Sequence, residues 1–346
     1  DVLIFDEPTA VLPPQECDGL FEIIANLTAE GKGVIFISHK LDEVLRISQR
    51  ITVLTHGRVT GQIHTEDADK TTLVRMMVGE DVAPPVINHA ETTPGKVLIR
   101  TEQLCARDNR GVQTLNGVDL EIRAGEVVGV AGVEGNGQIE LAEVLAGVRH
   151  AVSGKVCIDG EAVSTRSPKT FIQKKIAYVP ADRNHVGSVG DFPLYENWIL
   201  RNDHPPRRAG FLSYSTIRRE TARAMADFDV RARGVEDRTA DLSGGNLQKF
   251  IMARSLKDAP QVLICAYPTR GLDIKATYFI QEKIQEAKNN GCGVLLLSGD
   301  FDELFALSDR LVVLYRGKIA GEVSPLQTTV REVGMLMTGG EAHGAN

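Results

Sequence analysis

The chain has 346 residues, 42% hydrophobic and 25% charged, with a formal net charge of -7, which allows one large or two ordinary domains and a sizeable buried core. The acidic balance and the lack of any lysine or arginine block exclude a nucleic-acid surface, because a phosphate backbone is bound by a concentrated basic stripe. No apolar run approaches the roughly 18 residues that cross a bilayer, no charged-then-apolar leader precedes a cleavage site, and five scattered cysteines without a C-x-x-C pair point to reduced thiols in a cytoplasm.

No Met precedes Asp1, and residues 2–5 already read as a buried strand, so the polypeptide is expected to be a fragment whose upstream part is missing. Short apolar runs at 2–5, 34–37, 127–131, 176–179, 262–265 and 294–297 are buried-strand candidates separated by helical patterns, the signature of an α/β parallel sheet. Helices are expected at 41–47 and 301–307, each followed by a strand and a Gly turn, at 51–57 and 311–317. A Pro-containing polar stretch at 83–96 reads as a linker. Beyond it, 97–122 reads as strands around an Asp108-Asn109-Arg110-Gly111 turn, 216–229 as a helix, and about 187–255 as a helical insertion.

Residues 1–79 lie over 261–339 at a constant offset of 260 without a gap. The copies agree on scaffold: Pro8-Thr9 meets Pro268-Thr269, Gly31 and Gly33 meet Gly291 and Gly293, and Asp42-Glu43 meets Asp302-Glu303. They disagree on reactive groups, for Asp6-Glu7 faces Ala266-Tyr267 and His39 faces Gly299.

Four strings carry chemistry. A strand ending in Asp6-Glu7 can offer one carboxylate to a magnesium-bound water and a second to an attacking water, a solvated strand end being the alternative. His39 closes the strand at 34–37, and in a parallel sheet the carboxyl ends of neighbouring strands share a crevice, so its imidazole can reach the same ligand. Gly132-Val133-Glu134-Gly135-Asn136-Gly137-Gln138-Ile139 follows a strand and opens a helix with the spacing of a phosphate loop, G-x-x-x-x-G-K-[ST]. Gln138 there replaces the Lys and Ile139 the hydroxyl, so Gly132, Gly135, Asn136, Gly137 and Gln138 keep a backbone cradle without its fixed positive charge; a Gly-rich packing turn is the alternative. Leu242-Ser243-Gly244-Gly245-Asn246-Leu247-Gln248-Lys249 sets a hydroxyl and unhindered N–H groups at a helix start, facing an anion; simple capping by Ser243 is its bland alternative.

The last string, with the Pro268-Thr269-Arg270-Gly271-Leu272-Asp273 segment, resembles the ATP-binding subunits of ABC transporters, and Gly-Val-Glu-Gly-Asn-Gly-Gln resembles the degenerate second phosphate loop of the tandem subunits that power monosaccharide and nucleoside uptake. The resemblance implies a P-loop NTPase fold, with the C-terminal part of a first nucleotide-binding domain at 1–82, the linker at 83–96 and a second, degenerate one at 97–340. It implies ATP and Mg2+, with Asp6 holding magnesium through water, Glu7 as general base, His39 on the γ-phosphate, and Ser243, Gly244, Gly245 and Asn246 closing that site in a head-to-tail pairing, intramolecular or with a second copy. The second site, with Ala266, Tyr267 and Gly299, is expected to hydrolyse negligibly. Ala181 offers no magnesium ligand, residues 103–115 hold no aromatic for adenine, and Pro13 stands where Asp273 makes the family's inter-domain contact. Implied partners are membrane permease subunits at the cytoplasmic face and a solute-binding protein, with no nucleic acid; residues 107–111 favour a nucleoside solute. The alternatives are a soluble tandem ABC ATPase acting on ribosomes, against which the short linker counts, or a non-catalytic fragment.

Overall fold

A computed structural model describes residues 2–9, 14–38, 40–55, 57–78, 95–202 and 204–340. Two compact units emerge, residues 1–86 with 273–279 and residues 87–272 with 280–346. Of the linker expected at 83–96, all but residues 95 and 96 lie outside the described residues.

In the first unit, β1 (Val2–Asp6) leads through α1 (Pro14–Ala29) to β2 (Gly33–Ile37), and the two strands pair in parallel from Val2↔Gly33 to Asp6↔Ile37. Next come α2 (Leu41–Ile47), an antiparallel hairpin of β3 (Arg50–Thr55) and β4 (Arg58–His64), and α3 (Lys70–Val78). Alternation along Ile51-Thr52-Val53-Leu54 turns Ile51 and Val53 inward, where Leu73 of α3 covers them. That small core is flanked by Leu41, Val44, Leu45, Ile63 and Met76.

The second unit opens with antiparallel β5 (Val97–Arg107) and β6 (Gln113–Arg123), then β7 (Val127–Ala131) and α4 (Gln138–Leu145). A hairpin of β8 (Ser153–Ile158) and β9 (Glu161–Val163) joins β5 to make a four-stranded antiparallel sheet. α5 (Pro168–Gln173) and β10 (Ile176–Val179) return the chain to the central sheet. The helical part follows: α6 (Leu194–Ile199), the two-residue strands β11 (Arg207–Arg208) and β12 (Phe211–Leu212), α7 (Tyr214–Asp227) and α8 (Gly244–Leu256). It has its own core, in which Trp198 packs on Phe250 at 6.2 Å between ring centres beside Leu194, Ile217 and Met225.

The chain ends with β13 (Val262–Ala266), α9 (Ile274–Asn289), β14 (Gly293–Leu297), α10 (Phe301–Leu307), β15 (Arg310–Tyr315), β16 (Lys318–Val323) and α11 (Val330–Met337). Six strands order as β10-β13-β14-β7-β15-β16, parallel except for the edge hairpin. β7, β13 and β14 are buried along their whole length, the pattern of a parallel sheet covered on both faces.

Adding 260 to β1, α1, β2, α2 and β3 reproduces the bounds of β13, α9, β14, α10 and β15, and the two hairpins share a bulge, between Val53 and Leu54 and between Val313 and Leu314. The copies differ in surroundings. Val2 is 67% and Ile35 50% exposed, whereas Val262 and Leu295 are fully buried, because β13 and β14 have β10 and β7 beside them and, among the described residues, β1 and β2 have no third strand.

Candidate functional site

The register of the first unit sets Asp6 opposite Ile37, so the carboxyl ends of β1 and β2 lie side by side. Asp6 is exposed and Glu7 half-buried. Glu7 leaves the strand with φ +49°, a left-handed conformation uncommon away from glycine, and its N–H donates to the Ile37 carbonyl at 2.9 Å. The structure therefore brings the acid pair to the edge where Ser38 leads into His39; His39 itself lies outside the described residues. Two carboxylates there suit a magnesium-held water and an attacking water.

The second unit repeats this backbone with other chemistry. Tyr267 has φ +49° and its N–H donates to the Leu297 carbonyl at 2.9 Å, the geometry of Glu7. Its ring packs against the core, and burial, with Glu134 nearby, pushes the phenol up. Beside it, the glycine-rich loop spans from β7 to α4, with Gly135 at φ +91° and Gly137 at φ +102°. Gln138 is 2% exposed, and its amide turns back to donate to the Val133 carbonyl at 2.9 Å. Asn136 donates to the same carbonyl at 3.0 Å and accepts the Arg316 N–H at 2.7 Å. A side chain at Gly132 would collide with the Gln138 amide.

The loop is thus tied to itself by neutral amides at the place where a phosphate loop offers a lysine. Glu134 adds a negative charge, engaged by Arg270 at 3.3 Å, and Arg270 stacks 5.9 Å over Tyr267. Without a carboxylate at 266 or 267, a hydroxyl at 139 or a lysine at 138, these residues do not fit a magnesium-bound triphosphate in a hydrolysable geometry.

Ser243 is the N-cap of α8; its hydroxyl accepts the Asn246 N–H at 3.5 Å and the Asn246 side-chain amide at 2.9 Å. The capping that sequence reasoning set aside is therefore present, and the exposed Ser243 and half-buried Gly244 and Gly245 remain at the surface. Asn246 accepts the Arg231 N–H at 2.8 Å, tying the helix start to the preceding loop. The helix begins at Gly244, directly after Ser243.

The structure gathers 132–138, Ala266, Tyr267 and Gly299 at the carboxyl ends of the neighbouring strands β7, β13 and β14. It does not bring Ser243 onto that loop; the link is Arg183, whose guanidinium lies 3.2 Å from the place of a Cβ on Gly244 and donates to the Arg270 carbonyl at 3.0 Å. Sequence reasoning named Arg270 only as part of the family's segment and gave neither it nor Arg183 a role. The available signal for Arg270 was its counterpart Ala10, another exchange of a charged for an inert residue between copies.

The family model described as ABC transporter matches residues 115–270. The chain is similar to the glucose import ATP-binding protein TsgD13 of Haloferax volcanii, 44% identical over 98% of this chain and 62% of that protein. It is 39% identical to the nucleoside import ATP-binding protein NupA of Lactococcus lactis and 38% to the guanosine import ATP-binding protein NupO of Bacillus subtilis, each over 98% of this chain and 67% of the relative. The chain thus spans less than two thirds of the length of TsgD13 and about two thirds of the other two. Among solved structures, the dimeric post-hydrolysis state of the ATP-binding cassette MJ0796 aligns with a TM-score of 0.57 at 21% identity over 66% of this chain and 99% of that one, a likeness of fold. No helix among the described residues is long and apolar enough to cross a membrane. By these sequence matches the chain belongs to the ABC transporter family.

Proposed function

We propose that the chain is part of an ATP-hydrolysing subunit that drives import of a monosaccharide or nucleoside through a membrane permease, with one hydrolytic centre. The observation that carries this reading is the contrast at one backbone position. Glu7 and Tyr267 share φ +49° and the same 2.9 Å bond to the neighbouring strand, yet only the first copy has a carboxylate there. In this reading ATP is the substrate; Asp6 holds Mg2+ through water, Glu7 takes the proton of the attacking water, and His39 contacts the γ-phosphate. Magnesium supplies charge neutralisation at the phosphate oxygens.

Ser243, Gly244, Gly245 and Asn246 serve as a phosphate lid in a head-to-tail pair, the positive end of α8 favouring the anion. The loop 132–138 keeps a structural or nucleotide-holding role without turnover. The subunit would then sit at the cytoplasmic face of the membrane, with a solute-binding protein delivering the solute. The names of the relatives span glucose, nucleosides and ribose, so both solute classes stand.

The test is uptake by vesicles holding the full-length protein and its permease. ATP-dependent accumulation of a labelled monosaccharide or nucleoside is expected. Equal ATP turnover with and without permease and no uptake of either class would contradict the reading.

A further inference from the structure

One carboxylate in the first unit is bonded to both loops that leave the strand edge. Glu43, in the first turn of α2, accepts the Thr9 hydroxyl at 2.6 Å and the Ser38 hydroxyl at 3.2 Å on the same oxygen, Oε2. Its other oxygen meets Lys40 Nζ at 3.3 Å. Lys40 completes the clamp, for Nζ donates to the Thr9 carbonyl at 3.3 Å and its N–H to the Ser38 hydroxyl at 3.1 Å. Thr9 follows Glu7 by two residues, and Ser38 immediately precedes His39.

The clamp is shielded: Thr9 is 2% exposed and the Glu43 side chain 13%. Hydrogen bonds to a charged group in such surroundings are roughly twice as strong as neutral ones. They border a strained turn, for Glu7 sits at φ +49°, a conformation that Tyr267 also adopts in the copy without the cation. The N–H of Glu7 fixes it to β2, and Thr9 fixes the next turn to α2.

We propose that Glu43 is a positioning residue for hydrolysis, holding the loop that carries Asp6 and Glu7 at a fixed separation from Ser38 at the end of β2. It touches no reacting atom. The inference rests on the assignment of Asp6, Glu7 and His39 as the hydrolytic centre.

The second copy supplies the comparison. Thr269, Ser298 and Glu303 keep the three residue types, but Asp300 stands where the first copy has Lys40. The Asp300 carboxylate caps the Asp302 N–H at 2.9 Å, and Glu303 keeps side-chain bonds from Thr269, Ser298 and Gln281 but has no cation at position 300. The cation of the clamp is therefore missing from the copy that also lacks the acid pair, while the two hydroxyl bonds remain.

The experiment compares ATP turnover of Glu43→Ala, Glu43→Gln, Glu303→Ala and Glu7→Gln in the full-length protein with its permease. Because displacing a catalytic group by about 1 Å costs up to about 10²-fold, Glu43→Ala is expected to lower kcat about tenfold or more with KM for ATP within about twofold. Glu43→Gln should recover most of that, since its amide oxygen accepts the same hydroxyls, and Glu303→Ala should leave kcat near the unaltered protein's. Equal falls in Glu43→Ala and Glu303→Ala, a loss confined to KM, or no loss in Glu43→Ala beside an inactive Glu7→Gln would overturn the proposal while leaving the site assignment in place. Full turnover in Glu7→Gln would overturn both. If Glu43→Ala does not fold, Thr9→Val with Ser38→Ala removes the same two bonds; the same kcat loss is expected, and unchanged kcat there refutes the clamp.

Discussion

Replacing Glu303 with Gln should stabilise the second unit by an amount that grows with pH. Burial, with Asp300 adding, raises this carboxyl from 4.5 to about 7. A carboxyl that keeps its proton when folded and loses it when unfolded costs stability as pH rises. Below pH 4.5 both states are protonated and nothing is lost; between 4.5 and about 7 only the unfolded state ionises. Stability there falls by about 1.4 kcal/mol per pH unit, and the loss levels off near about 3 kcal/mol once the folded group ionises too. Gln carries no such proton and fills the same space. Urea unfolding between pH 5 and pH 8 should therefore show an advantage for Glu303→Gln that grows from below about 1 kcal/mol to about 3 kcal/mol. A difference independent of pH, or a Gln variant weaker at pH 8, would mean that the native carboxylate is ionised and well bonded, and would refute the reasoning.

Gly137→Ala should destabilise the second unit by about 2 kcal/mol or more, since φ is +102° and a Cβ would sit 2.5 Å from the Thr114 carbonyl oxygen; unchanged urea unfolding would contradict the loop geometry. Ser243→Asp separates capping from anion contact. Asp caps as well as Ser, so unfolding should not change, while a carboxylate about 4 Å from phosphate adds roughly 4 kcal/mol of repulsion at an effective dielectric of 20 and should abolish ATP turnover of the full-length protein. Asp309→Ala strands Lys288, whose side chain is 2% exposed and bonded to Asp309 at 2.6 Å. A loss of about 3–5 kcal/mol is expected by chemical denaturation, and adding Lys288→Met should restore much of it.

The central strands were legible because their apolar runs are bounded by glycine and polar residues, and each run at 127–131 and 176–179 became a strand with those bounds. Runs at 262–265 and 294–297 gained Ala266 and Gly293, small residues that still pair in the ladder although they carry little strand propensity. The hairpin at β8 and β9 was not foreseen: Ser-Gly-Lys-Val-Cys-Ile is too short and polar to announce a strand, and only pairing with β5 makes it one. For the site, Asp6-Glu7 and the glycine loop could be read because their chemistry is contiguous in sequence. The Gln138 amide turned onto Val133 could not, since it depends on how the loop curls, nor could the Glu134–Arg270 pair, which depends on which strand ends are neighbours. Glu43 was visible only as a residue common to both copies, which marks scaffold and clamp alike.

The most direct measurement is steady-state ATP hydrolysis by the full-length protein carrying Glu7→Gln, with ATP binding followed in parallel. Losing a general base costs roughly 10²–10⁴-fold, so turnover should fall by that factor while ATP still binds. Turnover equal to that of the unaltered protein would place hydrolysis elsewhere, at the loop 132–138, and contradict a single centre built on the first copy's acids.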